Sequence, residues 1–285
     1  MTDTHCFFAS DLHGRTDRYR SLFDAAIRER PRAVILGGDL LPHHWSRVVG
    51  AEDFVDDVLV TSVRRMRTEL GDAAPRLLLI LGNDDERAAE QRFLDGESEG
   101  LWEYLHLREV ELAGYRVVGY CCVPPTPFLL KDWERYDVGR YVDPGCVSPE
   151  DGHRTVPFDP DEIRTGTIAR DLDRLMRPGD LSTTVLVAHS PPYRTGLDRA
   201  GLDDQMVDHA PLDVHVGSIA VKRLIEDRQP WLTLHGHIHE SSRITGTWRE
   251  RIGRTHCFNG AHDGPELCLI RFDLENPAAA TRELI

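Results

Sequence analysis

Five short segments carry residues that together could hold metal ions: Asp11-Leu12-His13-Gly14, Gly37-Gly38-Asp39, Gly82-Asn83-Asp84-Asp85, a lone His189, and Gly236-His237-Ile238-His239. Carboxylates and an amide oxygen are hard donors and imidazoles are borderline ones, so the mixture suits Mn, Fe, Zn or Ni better than Mg or Ca alone. Two ions about 3.5 to 4 Å apart need a shared ligand, and a carboxylate such as Asp39 can bridge them. Asp11 and His13 are two residues apart, as are His237 and His239, which places each pair on one side of an extended segment. Gly14, Gly38, Gly82 and Gly236 let the backbone approach the ions closely or take left-handed angles.

These segments need a frame that brings them to one place. Short apolar runs at Cys6–Ser10, Ala33–Gly37, Leu77–Leu81, Arg116–Cys121, Thr184–His189, Trp231–His235, Thr255–Phe258 and Leu267–Phe272 read as buried strands. Helical patterns alternate with them, which makes the chain α/β. Between the first two strands, Tyr19, Leu22, Phe23, Ala26 and Ile27 share one helical face, with Thr16 or Asp17 as cap and Arg18, Arg20, Arg28 and Arg30 on a solvated side. A longer helix is expected from about Asp53 to Leu70, stopped by Gly71, and another from Ser218 to before Pro230. Each of the five segments follows the carboxyl end of a predicted strand, where α/β sheets bind ligands.

From about residue 122 to 165 the pattern breaks, with Pro124, Pro125, Pro127, Pro144, Pro149, Pro157 and Pro160 crowding one stretch. It reads as a lid or binding-loop insertion within a single domain spanning 1–285. Trp133 reads as packing, whereas Tyr136 and Tyr141 fit either packing or stacking on a base. Arg15, His43 and His44 follow the first two motifs closely enough to reach a substrate, and Lys131, Arg135 and Arg140 of the insertion are further candidates for phosphate contacts. His262, beside Asn259-Gly260, reads as backbone shaping and not as a ligand.

Charge narrows the function. Of 285 residues, 34 are Lys or Arg and 48 are Asp or Glu, a formal net charge of −14. A protein that tracks nucleic-acid phosphates, or a polybasic membrane anchor, needs the opposite surplus. No apolar run approaches the roughly 18 to 20 residues that cross a bilayer. The first residues are acidic and polar where a signal peptide would be basic and then apolar, so a cytoplasmic location is expected. Six cysteines without C-x-x-C spacing fit reduced, structural thiols.

In this order the motifs resemble the calcineurin-like metallophosphoesterase superfamily, whose pattern is D-x-H, G-D, G-N-H-[DE], a lone His and G-H-x-H. The match runs from about residue 5 to 273. The resemblance implies a four-layer αββα sandwich, two mixed β-sheets flanked by helices, with a dinuclear metal site at the carboxyl ends of the strands. One metal would be held by Asp11, His13, Asp39 and His239, and the second by Asp39, Asn83, His189 and His237. It implies metal-dependent hydrolysis of phosphate esters by a hydroxide bridging the two ions, with Asp39, Asn83 and Asp84 at the reacting centre.

Position 84 departs from the family, which has a His there to orient the phosphate or protonate the leaving group; a bacterial subgroup commonly replaces it. Asp84 cannot supply a cationic donor, and a carboxylate beside a phosphate is repelled unless protonated or paired. Three outcomes are open: the leaving group needs little acid assistance, another His such as His43 or His44 substitutes, or Asp84 turns away to pair with Arg87 or a loop arginine. The first is preferred here, which favours a small phosphodiester or a nucleotide over a monoester with a poor leaving group. A phosphomonoesterase, or a binding and scaffold protein that has lost catalysis on the same fold, are the rivals. An acidic exterior repels a polyanion and leaves the site to something compact.

Overall fold

The computed structural model describes residues 4–42, 54–207 and 209–285. His43 and His44 lie outside the described residues. In chain order the elements are β1 (His5–Ala9), helix α1 (Thr16–Glu29), β2 (Ala33–Gly37), a π-helical segment Val55–Val60 running into α2 (Thr61–Leu70), β3 (Arg76–Ile80), α3 (Glu90–Ser98), β4 (Glu103–Tyr104), β5 (Glu109–Leu112) and β6 (Tyr115–Tyr120). Then follow α4 (Pro160–Thr165), α5 (Ile168–Leu175), β7 (Thr184–Ala188), the hairpin β8 (Met206–Val207) and β9 (Ala210–Pro211), α6 (Ile219–Arg228) and β10 (Leu232–His235). The chain closes with α7 (Ser241–Thr245), β11 (Arg249–Ile252), β12 (Thr255–Asn259), β13 (Cys268–Asp273) and β14 (Thr281–Leu284).

Two six-stranded mixed sheets result, ordered β14-β13-β1-β2-β3-β4 and β11-β12-β10-β7-β6-β5. The inner strands are parallel: β1 to β2 and β2 to β3 in the first sheet, β6 to β7, β7 to β10 and β10 to β12 in the second. Strands β2, β7 and β10 are buried at every position, which is why they read as continuous apolar runs and not as alternating ones. The sheets face each other: Phe258 of one meets Phe272 of the other at 6.2 Å between ring centroids, and Leu81 N–H points at Cys121 Sγ 3.2 Å away. Helix α1 packs on α2, and α5 on α6. Five of the six cysteines are buried, Cys146 is half-buried, and all are free thiols. No helix among the described residues is long and apolar enough to cross a membrane.

Two local expectations are corrected. Neither Thr16 nor Asp17 caps α1; Arg15 occupies the cap position and no side chain bonds the end. Arg18 does not lie on a solvated face. It is 6% exposed, and its guanidinium donates to the Asp11 and Gly264 carbonyls, both at 2.5 Å. Loop carbonyls at strand ends lack sheet partners, and a buried Arg satisfies two of them at once.

Residues 121–159 form no strand or helix, only turns and isolated bridges. The cations of this stretch are engaged close by. Lys131 is fully buried, with Nζ 2.5 Å from Glu134 Oε2 and 2.9 Å from the Thr126 carbonyl. Arg135 faces Asp171 and Glu162, and Arg140 pairs with Glu150. Trp133 is wholly buried, Tyr136 donates to Glu150, and Tyr141 is 74% exposed. Of these residues, the structure gives Lys131 no route to a phosphate. Asp137 ties this stretch to the N-terminus of α6 by accepting from Ser218 Oγ at 2.6 Å and from the Ile219 and Ala220 N–H groups.

Contact between the sheets depends on a small residue at one point. A Cβ on Gly119 of β6 would stand 2.7 Å from Ile80 Cγ2 and against Leu105. Overpacking of this kind costs about 1–3 kcal/mol, so Gly119→Ala is expected to lower the urea midpoint accordingly. An unchanged midpoint would contradict this packing.

Candidate metal centre

The site is assembled by the loops that follow β1, β2, β3, β7 and β10. The first two run side by side past the ends of their strands: Asp11, His13 and Gly14 N–H donate to the carbonyls of Gly38, Asp39 and Leu40, each at 2.9 Å. These loops are not extended. Asp11, His13, Asp39 and His237 have φ of 57°, 48°, 52° and 72°, so four donors occupy the left-handed region that non-glycine residues seldom adopt. The two-residue spacing therefore brings Asp11 and His13 together through a left-handed turn and not through strand alternation. Such conformations cost free energy and persist where the surroundings impose them, most often at functional sites.

Asp85 supplies much of that imposition. Its carboxylate is fully buried and accepts N–H bonds from Leu40, Leu41 and Gly82 at 2.8 to 2.9 Å, which clamps the loop carrying Asp39 to the loop carrying Asn83. Burial and the neighbouring Asp39 charge push its pKa up to about 7 against the pull of those N–H groups. Gly82 and Gly236 are needed for space: a Cβ on Gly82 would strike the Asp39 carboxylate and His189, and one on Gly236 would strike Ser10 and Asp11.

The donors converge. Ligand atoms of Asp11, His13, Asp39 and His239 lie within 4.8 Å of one another, and those of Asp39, His189 and His237 form a second such group. Asp39 is common to both. Its Oδ1 accepts the Asp84 N–H at 2.8 Å and its Oδ2 lies 3.2 Å from His189 Nε2. Asp11 accepts the His237 N–H at 3.0 Å and lies 3.1 Å from His239 Nε2. His13 Nε2 and His239 Nε2 face each other at 3.0 Å. Asn83 is 5% exposed, on the loop that touches Asp39.

Three observations fit cations at this place. Asn83 Oδ1 and His189 Nε2 are buried and make no hydrogen bond, a state that costs free energy unless something else satisfies them. His189 Nδ1 lies 2.7 Å from the Gly37 carbonyl, which fixes that nitrogen as the N–H and leaves the Nε2 lone pair facing inward, as in metal-binding histidines. Two imidazole nitrogens turned toward each other at hydrogen-bond distance also call for a shared proton or a shared cation between them.

Without cations, protons take their place. Burial opposes charge on His189, but Asp39 outweighs it and lifts the pKa to about 10; for His239, Asp11 does the same, to about 9. His237, desolvated and beside His189, is lowered to about 3. Asp11 and Asp39 stay ionised, because their histidine partners overcome the effect of burial.

Of the remaining candidates, Arg15 pairs with Asp17 at 2.9 Å on the surface, and His262 lies 3.1 Å from Glu266. Asp84 does not pair with Arg87. Arg87 goes to Glu90 at 3.2 Å and stacks over Trp133 and Phe158. The Asp84 carboxylate instead accepts from Asn83 Nδ2 at 3.0 Å and lies 3.8 Å from His13 Nδ1.

The family model for calcineurin-like phosphoesterases matches residues 5–241. The chain belongs to this family. All five loops of the cluster fall inside the matched span. An uncharacterized protein of Methanocaldococcus jannaschii is 34% identical over 107 residues, 36% of this chain, and the chain spans 42% of the length of that curated relative. Among solved structures, a protein of Thermus thermophilus is similar at TM-score 0.58 and 16% identity, covering 99% of this chain and 98% of the other. The phosphopantetheinyl hydrolase of Mycobacterium tuberculosis is similar at TM-score 0.52 and 14% identity, covering 90% and 89%. At such identities the likeness is one of fold. The family generally holds a pair of divalent cations, and the donor cluster described above fits such a pair.

A ligand imidazole must be neutral, so if His189 and His239 hold cations, loading at about pH 7 displaces their protons, about two per chain. The sign follows from the raised pKa values: apparent affinity climbs with pH and levels off near pH 9 to 10. Calorimetric titration of metal-free protein with Mn²⁺ in buffers of different ionisation enthalpy measures the release directly. Binding that releases no protons would contradict this account of the site.

Proposed function

We propose that the chain hydrolyses small phosphodiesters or nucleotides, using two divalent transition-metal ions, in the cytoplasm. The observation that carries this reading is the convergence of six donors from four loops, joined by the β3 loop through the Asp84 N–H on Asp39, with Asn83 Oδ1 and His189 Nε2 buried and without hydrogen bonds. In this reading Asp11, His13, Asp39 and His239 hold one ion, and Asp39, Asn83, His189 and His237 the other. Bound there, the cations supply Lewis acidity to a phosphoryl oxygen and make water a nucleophile near neutral pH.

The protein's own part is positioning. Asp39 belongs to both donor groups and sets their separation, with one oxygen tied to the Asp84 N–H and the other facing His189. The Gly37 carbonyl holds His189 in the tautomer that offers Nε2, and Asp11 anchors the loop of His237 and His239 through the His237 N–H. Phosphoryl transfer asks mainly for this kind of placement and charge stabilisation. Two carboxylates among four imidazoles offer a mixed oxygen and nitrogen set that suits Mn, Fe, Zn or Ni.

Asp84 shapes the substrate preference. It is a carboxylate where the family has a His, so no cationic group at that position can protonate a leaving alkoxide. Substrates whose leaving group departs without a proton are favoured, and a diester or a nucleotide phosphate is a better candidate than a monoester with a poor leaving group. The net charge of −14 favours a compact ester over a long nucleic acid.

Asp39→Asn is expected to lower hydrolysis more than about a hundredfold, because it weakens the ligand shared by both ions. Wild-type activity in that variant would overturn the assignment. In Mn²⁺, bis-p-nitrophenyl phosphate is expected to be cleaved with a higher kcat/KM than p-nitrophenyl phosphate. A large preference for the monoester would contradict the diester reading, and no cleavage of either beside a loaded site would favour a scaffold.

A further inference from the structure

We infer that Asp84 is a positioning residue for Asn83, holding the side-chain amide so that its oxygen and not its nitrogen faces the donor cluster. The inference rests on the reading of Asn83 as a ligand. An amide group has two faces of nearly the same shape, an oxygen that attracts a cation and an NH₂ that repels one. Nothing in the Asn83 side chain itself chooses between them, so the choice must come from a neighbour.

Asp84 makes that choice. Asn83 Nδ2 donates to Asp84 Oδ1 at 3.0 Å, and Asn83 Oδ1 is left buried and without a hydrogen bond. An ionised carboxylate accepts and never donates. Rotating the amide by half a turn would set Oδ1 against Asp84 Oδ1 at about the same separation, two acceptors facing each other, and would aim the NH₂ at the cations. A neutral imidazole at position 84 lacks this selectivity, since either of its nitrogens can carry the proton. The carboxylate thus rejects the wrong rotamer in a way a His would not.

The same residue fixes the neighbouring ligand from its backbone. Its N–H donates to Asp39 Oδ1 at 2.8 Å, so the amide oxygen of Asn83 and the carboxylate of Asp39 are both referenced to Asp84. The backbone bond survives any substitution at 84 other than proline, which lets the side-chain effect be read separately. The change from His to Asp therefore exchanges a proton donor for a group that organises the second cation.

Metal-free wild type, Asp84→Ala and Asp84→Asn are titrated with Mn²⁺ by calorimetry, with electron paramagnetic resonance reporting the exchange-coupled pair. Partners that orient ligands are worth roughly ten- to a hundredfold in metal affinity. Asp84→Ala is expected to weaken the second ion at least about tenfold and to lose the coupled signal at stoichiometric Mn²⁺, with the first ion little changed. Asp84→Asn keeps an oxygen that can accept from Asn83 Nδ2 and is expected to stay within about threefold of wild type. If Asp84→Ala does not fold, Asp84→Ser takes its place, its hydroxyl being too short to reach the amide. Wild-type affinity in the truncated variant overturns the inference. So does an equal loss in both variants, which would assign the effect to charge and not to orientation. Wild type that binds fewer than two ions would instead overturn the metal assignment on which the inference rests.

Discussion

The Asp39 carboxylate is the constraint on which the rest depends. It is 2% exposed, and a buried carboxylate is tolerated only when it is hydrogen-bonded and its charge is paired, here by an N–H on one oxygen and an imidazole charge 3.2 Å from the other. One partner is a backbone N–H from the β3 loop and the other is an imidazole from the end of β7. Satisfying this single group therefore requires loops from both sheets to meet at one point. The face-to-face packing of the sheets, the clamp by Asp85 and the absence of a Cβ at Gly82 all serve that meeting. Asp11 repeats the logic with the loop after β10, accepting the His237 N–H and facing His239.

Much of this was legible in the residues. Strands β2, β7 and β10 are buried on both faces, and that is what a continuous run such as Ala33–Gly37 or Thr184–Ala188 reports. Because each candidate donor segment begins where such a run stops, the sequence places these residues at one edge of the sheets without any knowledge of their angles. The glycines were legible for a similar reason: Gly38 has φ of 99°, and Gly236 leaves room for Asp11.

What was not legible depends on contacts between segments distant in sequence. The left-handed turns at Asp11, His13, Asp39 and His237 are imposed by neighbouring loops, and no local preference of Asp or His announces them. Arg18 fits the polar face of α1 by spacing, yet the unpaired carbonyls of Asp11 and Gly264 draw it inside. Lys131 has the look of a phosphate contact until Glu134 and the Thr126 carbonyl bury it. Asp85 was visible only as the end of a motif. Its role as a clamp between two loops appears once the N–H groups of Leu40 and Leu41, far away in sequence, are placed around it.

If the cluster is one site for two cations, metal stoichiometry tests it most directly. Wild-type protein purified without chelator and measured by elemental analysis is predicted to carry about two transition-metal ions per chain. A content near zero that stays there after incubation with Mn²⁺, Zn²⁺, Fe²⁺ or Ni²⁺ would contradict it, and the buried carboxylates and imidazoles would then have to be explained as a protonated structural network alone.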